Sequence, residues 1–221
     1  MTNRVRILVV DDHFVVRQGL KMIIAECYPG ATFGDASNAQ EALDLTAKQS
    51  WDVVLLDVSM PGRNGLDVLK DLRQNFPKLP VIVISMHPEE QFALRVIKLG
   101  AASYIRKDSA GQELLKGVEA ALRGRRYITQ SLATKLAESL ERGQDGPLHT
   151  TLSDREYQVL CLLGAGKTVK EAAAELSLSV KTISTYRTRV LEKMNMKNNS
   201  QLMMYVVEHG LVSGNTSIKE E

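Results

Sequence analysis

The feature that most constrains this chain is a change in hydrophobic rhythm partway along it. Residues 5–10, 53–56 and 81–84 are continuous Val-, Ile- and Leu-rich runs, with weaker runs at 31–36 and 102–105. A sheet with one wet face alternates polar and apolar residues, so unbroken apolar runs fit parallel strands covered on both faces. Between the runs, residues 15–27, 39–49, 65–76, 89–99 and 112–123 carry apolar side chains at helical spacing. Strand and helix alternating about every 25 residues predict an α/β fold, a doubly wound five-stranded parallel sheet.

Beyond residue 129 the strand rhythm stops. Residues 129–141 read as a connector helix, and 142–151, with Gly143, Asp145, Gly146 and Pro147, as a linker. Ser153 and Glu156, then Thr168 and Glu171, have the spacing of capping boxes, each opening a short amphipathic segment. Ser179 suits the N-cap of a helix over 180–194, and a last helix over 200–209 would stop at Gly210. The predicted divisions are an α/β domain over 1–124, connector and linker over 125–149, a small all-α domain over 150–214 and a tail over 215–221.

Two domains are the natural content of 221 residues. A chain that is 44% hydrophobic and 24% charged is not disordered as a whole. No apolar run approaches the roughly 18 residues needed to span a bilayer, and residues 1–6 lack a signal-peptide core, so a cytoplasmic protein without a membrane partner is expected. Cys27 and Cys161 both fall in apolar helical patterns and are expected to be buried thiols, neither a disulfide nor a metal pair. His13, His87, His149 and His209 lack the spacing of a zinc site, and His87, ahead of Pro88, reads as a helix cap. Net charge is only +2, but residues 165–198 hold seven basic against three acidic residues, whereas 1–124 hold 15 of each. The positive excess sits in one segment of the helical domain.

In an open α/β sheet, ligands bind beyond the carboxyl ends of the strands. Asp11 and Asp12 end the first strand and Asp57 the third, so three carboxylates should share a pocket. Such a cluster invites Mg²⁺, which takes oxygen ligands and keeps waters that phosphoryl oxygens can replace. Ser85 would bring a hydroxyl from the fourth strand and Lys107 an ammonium after the fifth. This is the chemistry of phosphoryl transfer to a side chain, with Asp57, the lone acid of an apolar strand, as nucleophile. No nucleotide-binding G-x-x-x-x-G-K-[ST] loop occurs.

Residues 7–12 (Ile-Leu-Val-Val-Asp-Asp), 57–62 (Asp-Val-Ser-Met-Pro-Gly), Ser85 and Tyr104 to Lys107 together resemble the receiver domain of two-component response regulators. The resemblance implies a flavodoxin-like fold whose Asp57 accepts phosphate from a cognate histidine kinase. Asp11, Asp12, Asp57 and the Ser59 carbonyl would hold Mg²⁺, Ser85 and Tyr104 would form the switch pair, and Lys107 would pair with the phosphate. An Asp-nucleophile phosphohydrolase is the competing class. Its usual second acid, two residues after the nucleophile, is here Ser59, and the chain is read as a regulator, not an enzyme.

In the helical domain, Ile183, Tyr186, Val190 and Met194 recur at helical spacing and leave Lys181, Ser184, Thr185 and Thr188 on the other side. That is a helix-turn-helix pattern with a face suited to base edges in the major groove of double-stranded DNA. Arg187, Arg189 and Lys193 flank that face and can reach phosphates. The stretch from Leu152 to Met194 resembles the LuxR-type output domain, which with a receiver defines the NarL/FixJ-like subfamily of response regulators. Lys181-Thr182-Ile183-Ser184 lacks a lysine that many members carry at its fourth position, and Tyr186 stands where many have His. The variant most resembles the GacA- and BvgA-type regulators. The expected DNA set is Lys181, Thr182, Ser184, Thr185, Arg187, Thr188, Arg189 and Lys193. The apolar excess of residues 201–207 points to a homodimer through Met203 and Val207, formed on phosphorylation or on DNA; RNA polymerase is a further candidate partner.

Overall fold

The computed structural model describes residues 5–60, 65–86, 89–130, 132–134, 137 and 147–211, which fall into two compact units, residues 1–140 and 141–221. In the first unit the apolar runs become β1 (Arg6–Val10), β2 (Thr32–Ala36), β3 (Val53–Asp57), β4 (Val81–Ser85) and β5 (Ser103–Arg106). They alternate with α1 (Phe14–Cys27), α2 (Ala39–Lys48), α3 (Gly65–Asn75), α4 (Glu89–Lys98) and α5 (Ala110–Leu122). The sheet is wholly parallel in the order β2-β1-β3-β4-β5. Every residue of β3 and β4 is buried, while the edge strand β2 is the polar one.

Side-chain alternation sends Ile7, Val9, Val53, Leu55, Ile82 and Ile84 to one face, where they pack with Leu20 and Ile24 of α1 and Leu114, Val118 and Ala121 of α5. Leu8, Val10, Val54, Leu56, Val81 and Val83, on the other face, are buried as well. This two-sided cover explains the continuous apolar runs. The register pairs Val10 with Leu56, Asp57 with Ile84 and Ser85 with Arg106. Asp11, Asp57, Ser85 and Lys107 therefore emerge at one end of the sheet.

The second unit holds α6 (Asp154–Gly164), α7 (Val169–Glu175), α8 (Val180–Lys193) and α9 (Asn199–Glu208), after a short 3-10 turn at Leu148–Thr151. Both expected capping boxes form: the Ser153 amide donates to Glu156 at 2.7 Å and the Thr168 amide to Glu171 at 2.7 Å. The Ser179 hydroxyl accepts from the Thr182 amide and starts α8, and Gly210, at φ +62, ends the run after α9. Val159, Leu163, Ala172, Ala173 and Ile183 form the core.

One expectation fails. Cys27, the last residue of α1, is exposed and Cys161 only half-buried; neither is in a disulfide. Of the connector helix expected over 129–141, residues 130, 132–134 and 137 are helical. His87, linker residues 142–146 and the tail 215–221 lie outside the described residues.

Gly164 is where α6 meets α9: a Cβ there would overlap the branched side chain of Val206. Val has little rotamer freedom with which to move aside. Gly164→Ala should destabilise the helical unit by about 1–3 kcal/mol and leave the α/β unit's transition unchanged, as read by denaturant unfolding of the two units.

Candidate functional site

At the carboxyl end of the sheet, Asp11 and Asp57 are 1% and 2% exposed. The Lys107 ammonium reaches both, 2.6 Å from Asp11 Oδ2 and 2.8 Å from Asp57 Oδ2. The other Asp57 oxygen, Oδ1, accepts a hydrogen bond from the Ser59 amide at 3.0 Å. Asp12 is half-buried beside them. Arg17, one turn into α1, donates to the Asp11 carbonyl at 2.6 Å and pairs with Asp35, which fixes the end of β1 from behind. Sequence reasoning missed Arg17, because a single basic residue on an amphipathic helix has no distinguishing signal.

Burial pushes the Asp57 carboxyl above the usual carboxylate range, and the neighbouring Asp11 charge adds to that. The Lys107 ammonium and the Ser59 amide oppose the shift without cancelling it. For Lys107, burial alone would lower the pKa, but Asp57 and Asp11 outweigh it and hold it above the ordinary lysine value. One cation thus serves two buried anions, and one carboxylate is left under-compensated.

Single donor atoms from Asp11, Asp12, His13 and Asp57 all lie within 4.8 Å of one another, a cluster that could hold a metal ion. Asp11 Oδ2 and Asp12 Oδ1 are buried, with the Lys107 ammonium 2.6 Å from the first and the His13 ring nitrogen 3.1 Å from the second. Buried carboxylate charge in excess of the cations that meet it is costly, and the donor set fits a divalent cation. Ser85 and Tyr104 are both buried. Tyr104 pairs with Val83 in the β4–β5 ladder, two residues before Ser85, so Ser85 and Tyr104 stand on one face of the sheet, one step apart.

In the helical unit, Ile183, Val190 and Met194 bury one side of α8, with Tyr186 packed at the margin. Lys181, Ser184, Thr185, Thr188 and Arg189 are exposed on the other. The Ser184, Thr185 and Thr188 hydroxyls donate to carbonyls one turn back, which leaves their lone pairs outward as acceptors. Three residues of the expected set have additional partners. Thr182 is half-buried with its hydroxyl 2.7 Å from Ser179, and Arg187 donates to Asn199 at 2.6 Å. Lys193 donates to Glu156 at 2.7 Å and so links α8 to the cap of α6. On α9, Leu202, Tyr205 and Val206 are buried, whereas Met203, Met204 and Val207 are exposed.

A buried, under-compensated carboxylate at the strand ends of one unit and a helix-turn-helix in the other are the parts of a signalling switch with a nucleic-acid-reading output. Comparison with known proteins agrees. Residues 7–119 match the response regulator receiver domain, and residues 150–206 match the bacterial regulatory proteins of the luxR family. The chain belongs to the two-component response regulators of the NarL/FixJ type. It is 32% identical to the response regulator UvrY of Escherichia coli K12 over 96% of this chain and 98% of that one. To GacA of Pseudomonas aeruginosa it is 33% identical over 94% and 98%. The structure of RcsB from Salmonella enterica serovar Typhimurium, bound to promoter P1flhDC in the presence of phosphomimetic BeF3-, aligns over 93% of this chain and all of that one. Its TM-score is 0.62 at 26% identity.

The Lys193–Glu156 pair yields a pH-dependent prediction. Burial alone would raise the Glu156 pKa, but hydrogen bonds from Lys193 and Ser153 outweigh it and depress the value. A depressed folded-state pKa contributes stability above the unfolded pKa, and the contribution is lost as pH falls through the folded one. Lys193→Met should therefore destabilise the helical unit by a few tenths to about 1 kcal/mol at neutral pH, Lys193 being partly exposed. The mutant and parent unfolding midpoints should converge as pH drops below the usual glutamate range.

Proposed function

We propose that this chain is a phosphorylation-dependent, DNA-binding transcriptional regulator acting in the cytoplasm, and not an enzyme turning over a small substrate. The observation that carries the reading is Asp57 itself, a buried, under-compensated carboxylate held by Lys107 and the Ser59 amide in a chain with a LuxR-type output. An Asp57 carboxylate oxygen attacks the phosphorus of a phosphohistidine on the kinase. The P–N bond breaks, its electron pair leaves with the imidazole, and a phosphoryl group stays on Asp57. Asp11, Asp12, Asp57 and the Ser59 carbonyl would hold Mg²⁺, which supplies positive charge against the incoming phosphoryl oxygens. Lys107, already on Asp57, turns to the phosphoryl group. The Ser85 hydroxyl and Tyr104 respond to the new charge and bias the receiver surface between two arrangements.

In the output unit, Lys181, Ser184, Thr185 and Thr188 read base edges, while Arg189 with Arg187 contacts phosphates. Thr182 acts chiefly through the helix cap, and Lys193 reaches a phosphate only by releasing Glu156. RcsB, of the same two-domain build, is bound to a promoter in the presence of a phosphomimetic in its own structure. A homodimer through Met203 and Val207 of α9, with Met204 beside them, would set two such helices on two half-sites. RNA polymerase is a further candidate partner.

Asp57→Ala should abolish labelling by a small-molecule phosphodonor in Mg²⁺, and chelating the ion should abolish labelling of the parent protein; intact-mass spectrometry measures both. Full incorporation in the mutant would overturn the assignment of the acceptor. In selections from random DNA, Thr185→Ala or Thr188→Ala should change the preferred base by about tenfold. Arg187→Ala should weaken binding to every sequence and reduce the salt slope by about one.

A further inference from the structure

Just past α5 the chain carries positive charge that neither the acid pocket nor the helix-turn-helix uses. Residues 120–137 hold four basic residues and no acidic one. Two of the four, Arg125 and Arg126, are adjacent and exposed. Elsewhere in the first unit, the guanidinium groups of Arg6, Arg17, Arg73, Arg106 and Arg123 each donate to an oxygen of the same unit. Those of Arg125 and Arg126 engage no oxygen among the described residues.

The backbone that carries the pair is fixed on both sides. Gly124, at φ +69, turns the chain out of α5, and the Arg125 amide donates back to the Ala120 carbonyl at 2.9 Å. Beyond the pair, the Tyr127 amide donates to the Ala102 carbonyl at 2.9 Å and the Tyr127 hydroxyl to Glu113. Two cations displayed from a pinned backbone lose less freedom on meeting a ligand than two on a loose tail. The α5 dipole does not explain them. Its effect is confined to the last turn, the helix ends at Leu122, and the nearest cation, Arg123, is already paired with Glu119 at 2.7 Å. Adjacent like charges repel, so this pair favours an anion from outside the unit.

We propose that Arg125 and Arg126 bind backbone phosphates of the double-stranded DNA that the output unit reads, flanking the site that α8 occupies. The inference rests on the DNA-binding reading of α8. Guanidinium forks match phosphate oxygens in charge and geometry. Only 21 residues separate Arg126 from Leu148, where the helical unit's first turn begins. That length reaches about 30 Å if wholly helical and at most about 70 Å if extended. One turn of duplex is about 34 Å, so phosphates one or two turns from the half-site lie within reach of the pair. Binding by α8 raises their local concentration, and the second contact becomes intramolecular. It adds affinity without sequence preference and carries the footprint beyond the bases that α8 reads.

The test uses the full chain and two mixed-sequence duplexes, one of about 15 base pairs, room for one output unit, and one of about 40. Binding is followed by fluorescence anisotropy across a salt series. On the long duplex, Arg125→Gln with Arg126→Gln should lower the salt slope by about two per bound chain and weaken binding about tenfold near 50 mM salt. On the short duplex the same variant should stay within about twofold of the parent. Arg125→Lys with Arg126→Lys should keep most of the long-duplex slope, because a point charge still releases counterions. An unchanged slope on the long duplex overturns the proposal, and so does an equal loss on both duplexes, which would place the effect in the output unit and not on flanking DNA. Sedimentation equilibrium without DNA covers the competing partner: loss of self-association in the glutamine variant with its salt slope intact would assign the pair to an acidic face of a second copy. A parent protein that binds neither duplex at low salt would sink the DNA reading of α8 itself, and the proposal with it.

Discussion

Lys107 brings one ammonium to two buried carboxylates, and much of the first unit is arranged to keep it there. Taking these charges out of water is costly, and the cost is bearable only if the opposite charges meet at hydrogen-bonding distance. The contacts at 2.6 and 2.8 Å meet that condition for single oxygens of Asp11 and Asp57. They leave one of the two buried charges under-compensated, and Asp12 faces the His13 ring at 3.1 Å. The pocket would thus accommodate more positive charge, which a divalent ion would supply. The parallel register carries this arrangement, because it levels the ends of β1, β3, β4 and β5. Gly65 contributes from below: a Cβ there would overlap the backbone of Asp57 and Val58, so glycine lets α3 start directly against the acceptor strand.

Much of this was legible because strand ends are functional positions in such a sheet. A continuous apolar run says where a parallel strand lies, and an acid at its end is then a pocket residue. The five strands and five helices accordingly lie within a residue or two of their expected bounds. What was not legible has a common cause. Arg17 and His13 depend on the orientation of α1 and on the loop before it, neither of which spacing determines, whereas Cys27 is exposed at the last residue of α1. Arg17 reaches back to the Asp11 carbonyl, and His13 joins the acids despite lacking any ligand at helical spacing.

The output unit was readable for a different reason. Capping boxes place helix starts to within a residue, and from a fixed start the 3.6-residue period divides α8 into a buried and an exposed side. Long-range polar links were hidden. Lys193–Glu156 spans 37 residues and Arg187–Asn199 joins two helices. Both cations looked like free phosphate contacts because a sequence pattern shows only which side of a helix a residue occupies. It does not show which neighbour arrives there first. For the proposed DNA contact, Lys193 would have to exchange an existing partner, Glu156, which Arg189 and Lys181 would not.

The same packing bears on assembly. Val206 fills the space left by Gly164, and Leu202 and Tyr205 turn inward with it, so α9 anchors itself with one side and presents Met203, Met204 and Val207 with the other. Met204 and Val207 are 66% and 67% exposed, which is much apolar surface for one helix of ten residues. Yet three side chains offer at most a few hundred Å² per subunit, well short of the roughly 800 Å² that each partner buries in a stable complex. Pairing through α9 alone would therefore be weak. On the proposed function it would become effective when a second constraint raised the local concentration of the partner, either two half-sites on one DNA or association of phosphorylated receivers. A weak intrinsic contact of this kind would keep the output unit controllable, since a strong one would pair whether or not Asp57 carried a phosphoryl group.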